Sequence, residues 1–253
     1  MRLFLVALQF LTRLPVRLGR FEPAWLNDCV RHFPLVGALV GAVGAGALVG
    51  AAQFWPAWVA AVLALVATVL LTGGFHEDGL ADTFDALGGV VSRDKALVIM
   101  KDSRLGSYGA LALVLSLLLR AALLAVLATR PLAGAVAALL ASHALARGAA
   151  VGVMVSLPYG GDVEHAKAKP LALAVAPGNF AMAIGWCALL LAALTVAGVD
   201  VAKLVGAVLS ATFVALLMRQ WLKRRLGGYT GDGLGATEQL AEIAVLLAFT
   251  ASI

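Results

Sequence analysis

Between Arg31 and Glu77 the chain carries no Asp, Glu, Lys or Arg. That run is long enough for two membrane spans of about 20 residues each, rising about 1.5 Å per residue. Trp55 and Pro56 interrupt it in the middle, which places spans near 34–54 and 57–74. The same scarcity of charge marks further spans near 107–128, 132–156, 179–198 and 201–221. A last, shorter apolar segment runs from about 239 to the end and carries Glu242. Composition agrees: 62% of residues are apolar and 13% charged, where a soluble domain has about 25% charged. A soluble globular enzyme, a disordered chain and a secreted disulfide scaffold are thereby excluded. The apolar residues are mostly Ala, Leu and Val, with 27 Gly, a mixture that lets membrane helices approach closely. The expected fold is all-α: a polytopic membrane helix bundle of about six to seven transmembrane helices, one domain over 1–253.

Orientation follows from the basic residues. Of the 19 Lys and Arg, 15 fall on one side of the expected spans: Arg2, Arg13, Arg17, Arg20, Arg31, Arg93, Lys95, Lys101, Arg104, Lys167, Lys169, Arg219, Lys223, Arg224 and Arg225. The opposite loops hold Arg130 and Lys203. Lys and Arg collect on the cytoplasmic side, so the N-terminus and the long loops are expected in the cytoplasm of a cell whose inner membrane holds the chain. The net charge of +5 is then topology and phosphate binding rather than a sign of nucleic acid. Residues 2–14 read as a helix lying in the cytoplasmic interface, with Arg13 and Arg17 toward phosphates, or equally as a basic stop that fixes topology. Cys29 and Cys187 are far apart and suggest neither a disulfide framework nor a zinc site. Gly37/Gly41 and Gly46/Gly50 have the small-xxx-small spacing of helix packing surfaces.

Because acidic residues are few, their placement is informative. Four of the 14 fall within nine positions, Glu77, Asp78, Asp82 and Asp85, directly after a span. On a helix Asp78, Asp82 and Asp85 lie within roughly 60° of arc. Like charges so spaced repel, and a cation between them relieves the repulsion. Magnesium favours such carboxylate oxygens together with phosphate. The bland alternative is a solvated acidic face; against it stand the position at the membrane boundary, the distance to Arg93 as the nearest basic residue, and the flanking Phe75, Leu80, Phe84 and Leu87. His76 adjoins the cluster as a cap or pairing partner rather than a ligand.

Two more polar motifs lie further along the chain. In Lys101-Asp102-Ser103-Arg104-Leu105-Gly106-Ser107-Tyr108-Gly109, Lys101 and Arg104 could hold phosphates while the glycines allow close approach. Positive-inside anchoring, with Tyr108 in an aromatic belt, accounts for it equally well. In Gly227-Gly228-Tyr229-Thr230-Gly231-Asp232-Gly233-Leu234-Gly235, a glycine-rich loop offers backbone N–H groups to an anion, with Asp232 acting through a metal. A tight turn before a helix capped by Thr237 is the plain reading, with Glu238 and Glu242 one turn apart on that helix. His143 and Arg147 sit one turn apart inside a span and, like Arg120, are expected to be structural, Arg120 reaching the outer surface with Arg130.

Taken together the motifs resemble the cobalamin synthase family, the adenosylcobinamide-GDP ribazoletransferases. The pieces are Phe10-Leu11-Thr12-Arg13-Leu14-Pro15, Phe33-Pro34-Leu35-Val36-Gly37, the Glu77–Asp85 cluster, the Lys101–Gly109 stretch and the Gly228–Gly235 loop. The resemblance implies a magnesium-dependent integral membrane enzyme in which α-ribazole or its 5′-phosphate attacks adenosylcobinamide-GDP and GMP leaves. It implies Asp78, Asp82 and Asp85 as metal ligands, Glu77 as a ligand or supporting residue, and Asp232 as a ligand or general base. Asp82 and Asp232 are the expected catalytic pair. Lys101 and Arg104, with Arg13, Tyr108, Gly231 and Gly233, are the expected substrate contacts. The partners are those two substrates and the lipid bilayer, with no nucleic acid; an oligomer stays open. The aspartate-rich helix of CDP-alcohol phosphotransferases offers a mechanistic analogy only. Two rivals remain: a prenyltransferase on a pyrophosphate, which would need more Asp near Asp232, and a cation-coupled transporter, which would need acids at span centres rather than at cytoplasmic ends.

Overall fold

The structure is a computed structural model describing residues 1–19, 22–161 and 175–251. Arg20, Lys167 and Lys169, three of the 15 basic residues on the expected cytoplasmic side, lie outside the described residues. Eleven α-helices are described: α1 (Arg2–Leu11), α2 (Ala24–Cys29), α3 (Phe33–Ala51), α4 (Ala57–Thr72), α5 (Phe75–Leu87), α6 (Arg93–Met100), α7 (Ser107–Ala128), α8 (Leu132–Ser156), α9 (Pro177–Val196), α10 (Val201–Leu226) and α11 (Gly231–Thr250). A 3-10 turn, Val30–His32, joins α2 to α3. The fold is all-α, as expected; extended backbone pairs at one isolated bridge among the described residues, Tyr159 with Tyr229.

Five segments are long and apolar enough to cross a bilayer: Ala24–Ala51, Ser107–Ala128, Leu132–Ser156, Pro177–Val196 and Val201–Leu226. A sixth is formed if α4 and α5 count as one broken span. These helices mark an integral membrane protein. The seventh expected span corresponds to α11, 20 residues long and thus about 30 Å. It falls outside the apolar set because it carries Asp232, Glu238, Gln239 and Glu242, yet it is the helix around which α5, α7, α8 and α10 pack. A helix enclosed by other helices is solvated by them and not by lipid, so it need not be apolar all round. Sequence hydropathy underrates such a helix.

Two pairs of glycines decide how these helices meet. At Gly73 and Gly74, α4 and α5 join at 89°. Both glycines have left-handed φ, +72° and +70°, which L side chains adopt at a cost. A Cβ on Gly73 would also strike the Arg13 side chain. At Gly37 and Gly41, α3 lies directly on α8: Cβ atoms there would collide with the carbonyl oxygens of His143 and Leu139. Gly46 and Gly50 face open space, so of the two small-xxx-small pairs only Gly37/Gly41 is a helix–helix contact. The N-terminal α1 buries Val6, Ala7, Leu8 and Leu11 on one side and exposes Arg2, consistent with a one-sided interfacial helix. Beyond its end, Arg13 N–H donates to Leu71 O at 2.7 Å, tying α1 to α4. Both cysteines are free and buried.

Candidate active site

The site begins at a crossing of two backbones. A Cβ on Gly79 of α5 would lie 2.9 Å from Asp232 O and 3.2 Å from Gly235 Cα. A Cβ on Gly235 of α11 would lie 3.2 Å from His76 O. With no side chain between them, α5 and α11 touch here, and carboxylates about 150 positions apart in sequence reach the same space. The glycine-rich segment is thus mostly helix: Gly231, Gly233 and Gly235 belong to the first turns of α11, and the loop proper is 227–230. Gly227 ends α10 with φ +75°. Thr230 caps α11 by accepting from Gly233 N at 3.0 Å. Asp232 lies in that first turn, where the helix dipole favours a negative charge.

A cavity of about 310 Å³ opens at this crossing. Asp78 and Asp82 of α5, Asp232 of α11 and Lys101 line it, together with Gly231. Its other walls are apolar or aromatic, from Phe10, Leu11, Phe33, Phe75, Met154 and Tyr229. Phe10 stacks on Phe33 with ring centroids 6.1 Å apart and meets Phe75 edge-on at 5.5 Å. Deeper residues are His76, Arg147 and Glu238.

The loops around the cavity are pinned to one another. Tyr229 N–H donates to Pro158 O at 2.9 Å, and Gly160 N–H to Tyr229 O at 2.7 Å. A Cβ on Gly228 would collide with Pro158 O, so this approach requires glycine. Arg93 donates to Leu226 O and Gly160 O at 2.8 and 2.9 Å, and Arg225 to Leu87 O and Gly89 O at 2.7 and 2.8 Å. Arg93 and Arg225 are therefore staples between loops. Burial pushes the Tyr229 phenol up to about 12, so it is neutral near pH 7.

The structure does not gather every expected site residue here. Asp85 accepts from Gly106 N and Gly109 N at 2.7 and 2.8 Å, holding the start of α7. Cβ atoms at those glycines would collide with that carboxylate, which explains them without a phosphate. Glu77 points to another side of α5, 3.0 Å from Arg120 Nη1. Arg104 is exposed and grips Asp102, which raises its pKa through their hydrogen bonds. Tyr108 packs over Gly88 and is half-exposed. Gly233 lies against Leu222, and Arg13 and Gly233 are not among the residues lining the cavity.

Sequence reasoning also underrated a buried charge network behind the cavity. Arg120, fully buried, turns inward and not to the outer surface: its guanidinium lies 3.0 Å from Glu77, 2.7 Å from Glu242 and 2.8 Å from Gln239 Oε1. Glu242 lies 3.2 Å from His143 Nδ1, and Arg147 Nη1 lies 2.7 Å from Glu238. Acids do therefore occur inside the bundle. The i, i+4 spacings His143/Arg147 and Glu238/Glu242 were the available signal, since both pairs present one face of a helix. His143, Glu238 and Glu242 bring ligand atoms within 4.8 Å of one another, a geometry that could hold a metal ion. Two guanidiniums, of Arg120 and Arg147, already supply positive charge there.

A profile of the cobalamin-5-phosphate synthase family matches residues 3–250. An adenosylcobinamide-GDP ribazoletransferase of Leptothrix cholodnii is 51% identical over 253 residues, covering 100% of this chain and 96% of its own length. Proteins of the same description from Shewanella amazonensis and Polaromonas naphthalenivorans are 44% and 42% identical, covering 98% and 100% of this chain and 94% and 98% of their own lengths. No solved structure matches the chain.

Proposed function

The chain belongs to the cobalamin-5-phosphate synthase family, and we propose that the cavity at the α5–α11 crossing is where its reaction occurs. Its activity is that of an adenosylcobinamide-GDP ribazoletransferase in cobalamin biosynthesis. A hydroxyl of α-ribazole, or of its 5′-phosphate, attacks the pyrophosphate phosphorus bonded to cobinamide. A new P–O bond forms, the P–O bond to GMP breaks, and the hydroxyl proton passes to a carboxylate. One observation carries the location: Asp78, Asp82, Asp232 and Lys101 line a single cavity, although they come from separate parts of the chain.

The three aspartates suit magnesium, a hard cation that takes carboxylate oxygens and keeps several waters. Held there, it would neutralise charge on the pyrophosphate and on the departing GMP. Lys101 at the rim binds phosphate oxygens, and the amides at the start of α11, near Gly231, face the same anion. Asp82 or Asp232 takes the proton. Glu77 and Asp85 are left out of the ligand set because Arg120 and two backbone amides engage them. The aromatic wall of Phe10, Phe33 and Phe75 receives the ribazole base, while the corrinoid, too large for about 310 Å³, stays outside. The clustering of basic residues in the loops near the cavity supports a mouth on the cytoplasmic side of an inner membrane.

The test is GMP release from adenosylcobinamide-GDP and α-ribazole by purified protein, with and without magnesium. Asp82→Asn should lose most activity while purifying normally. Full activity of that variant refutes the ligand role, and no GMP release by the wild type with either form of ribazole refutes the assignment of activity.

A further inference from the structure

Arg147 lies at the deep end of the cavity, 2% exposed, with much of its guanidinium unused. Nη1 lies 2.7 Å from Glu238 and donates to His143 O at 3.0 Å. Nε and Nη2 are buried with no hydrogen-bond partner among the described residues. In a planar guanidinium these two form one donor edge, and leaving such an edge buried and unmet is costly. Arg147 itself lines the cavity, so a donor edge without a protein partner stands beside whatever enters it.

The charges around it narrow the choice. Arg120 and Arg147 stand against Glu77, Glu238 and Glu242, with His76 and His143 as the imidazoles. Two cations facing three carboxylates leave no surplus of positive charge for a phosphate. A neutral acceptor fits better. Apolar residues line the cavity as well: Ala150 and Met154, one and two turns after Arg147 on α8, and Phe10, Leu11 and Phe33.

We propose that Arg147 recognises the acceptor substrate by donating to the unsubstituted ring nitrogen of the ribazole benzimidazole. That base is flat and apolar apart from one in-plane lone pair, which is what apolar walls ending in a donor edge select. The inference rests on the transferase reading of the cavity. Glu238 acts by holding the guanidinium in place; it is a positioning residue.

The experiment compares α-ribazole with its indole analogue, in which that ring nitrogen is a CH, by equilibrium binding to the purified full-length protein. The wild type should bind ribazole about 10- to 100-fold more tightly, the usual effect of one hydrogen bond from a charged donor. Arg147→Lys keeps the charge opposite Glu238 and removes the edge; its preference should shrink to about twofold. Equal binding of the two ligands by the wild type overturns the proposal, and so does an undiminished preference in Arg147→Lys. The wild-type ligand pair decides alone if the variant does not fold. Normal GMP release with equal binding refutes only the Arg147 assignment, whereas absent GMP release refutes the transferase reading and this inference with it.

Discussion

Gly79→Ala tests whether the contact between α5 and α11 sets the spacing of the three cavity aspartates on which the proposed reaction depends. The added Cβ would sit 2.9 Å from Asp232 O and 3.1 Å from Asp232 Cα, both backbone atoms that cannot swing aside. Ordinary contact needs about 3.5 Å, so the helices must part by about 0.5 Å. Overpacking of this kind costs about 1–3 kcal/mol, offset by the roughly 1 kcal/mol that Ala gains over Gly inside a helix. The expected net loss is at most about 2 kcal/mol, which leaves the protein folded. Activity should suffer more, because the parting moves Asp78 and Asp82 relative to Asp232. A misplacement of about 1 Å can cost about 100-fold, so half of it should cost about tenfold in kcat/KM. Gly46→Ala and Gly50→Ala are the controls: nothing lies within 4 Å of their Cβ positions, so they should gain up to about 1 kcal/mol and keep full turnover. The assays are GMP release and thermal unfolding in detergent. Wild-type turnover by Gly79→Ala at wild-type magnesium concentrations would refute the reasoning.

Asp85→Ala should destabilise the start of α7 by about 1–3 kcal/mol in thermal unfolding, since two backbone N–H groups lose their acceptor. The surviving activity should need no more magnesium than the wild type, and a roughly tenfold higher requirement would make Asp85 a ligand after all. Arg120→Met should cost about 3–5 kcal/mol by stranding Glu77 and Glu242. Adding Glu242→Leu should restore a large part of the lost folded yield, and no recovery would show that the two residues do not act as a pair.

The membrane bundle was legible because hydropathy reports what faces lipid. The spans near 107–128 and 132–156 coincide with α7 and α8. The break at Trp55-Pro56 is the turn between α3 and α4, where Pro56 precedes the first residue of α4. The weak point was α11, whose surroundings are other helices. The acidic cluster was legible as a group but not residue by residue. Periodicity puts Asp78, Asp82 and Asp85 on one stripe, yet α5 is contacted on several sides. Its far end meets the amides of Gly106 and Gly109, and Glu77 meets Arg120. Which carboxylate faces a cavity and which caps a helix depends on partners distant in sequence, and spacing alone carries no record of them. The glycines carry a packing role that their spacing did not show: Gly233 and Gly235 lie on the face by which α11 touches Leu222 and α5.

The charge network and the cavity draw on the same helices. Arg120 of α7 ties Glu77 of α5 to Glu242 of α11, and Arg147 of α8 ties Glu238 of α11. Buried ion pairs of this kind stabilise little in net terms, because desolvation offsets most of the attraction. Their geometry is specific, however: a slip of one helical residue, about 1.5 Å of rise and 100° of rotation, would strand several charges at once. The helices so locked are α5 and α11, which carry Asp78, Asp82 and Asp232, and α8, which carries Arg147. Apolar contacts between Ala- and Leu-rich helices tolerate sliding, since one small side chain replaces another with little penalty. In such a bundle the buried charges add to the glycine contacts in setting register, and register is what keeps three carboxylates and a guanidinium lining one cavity.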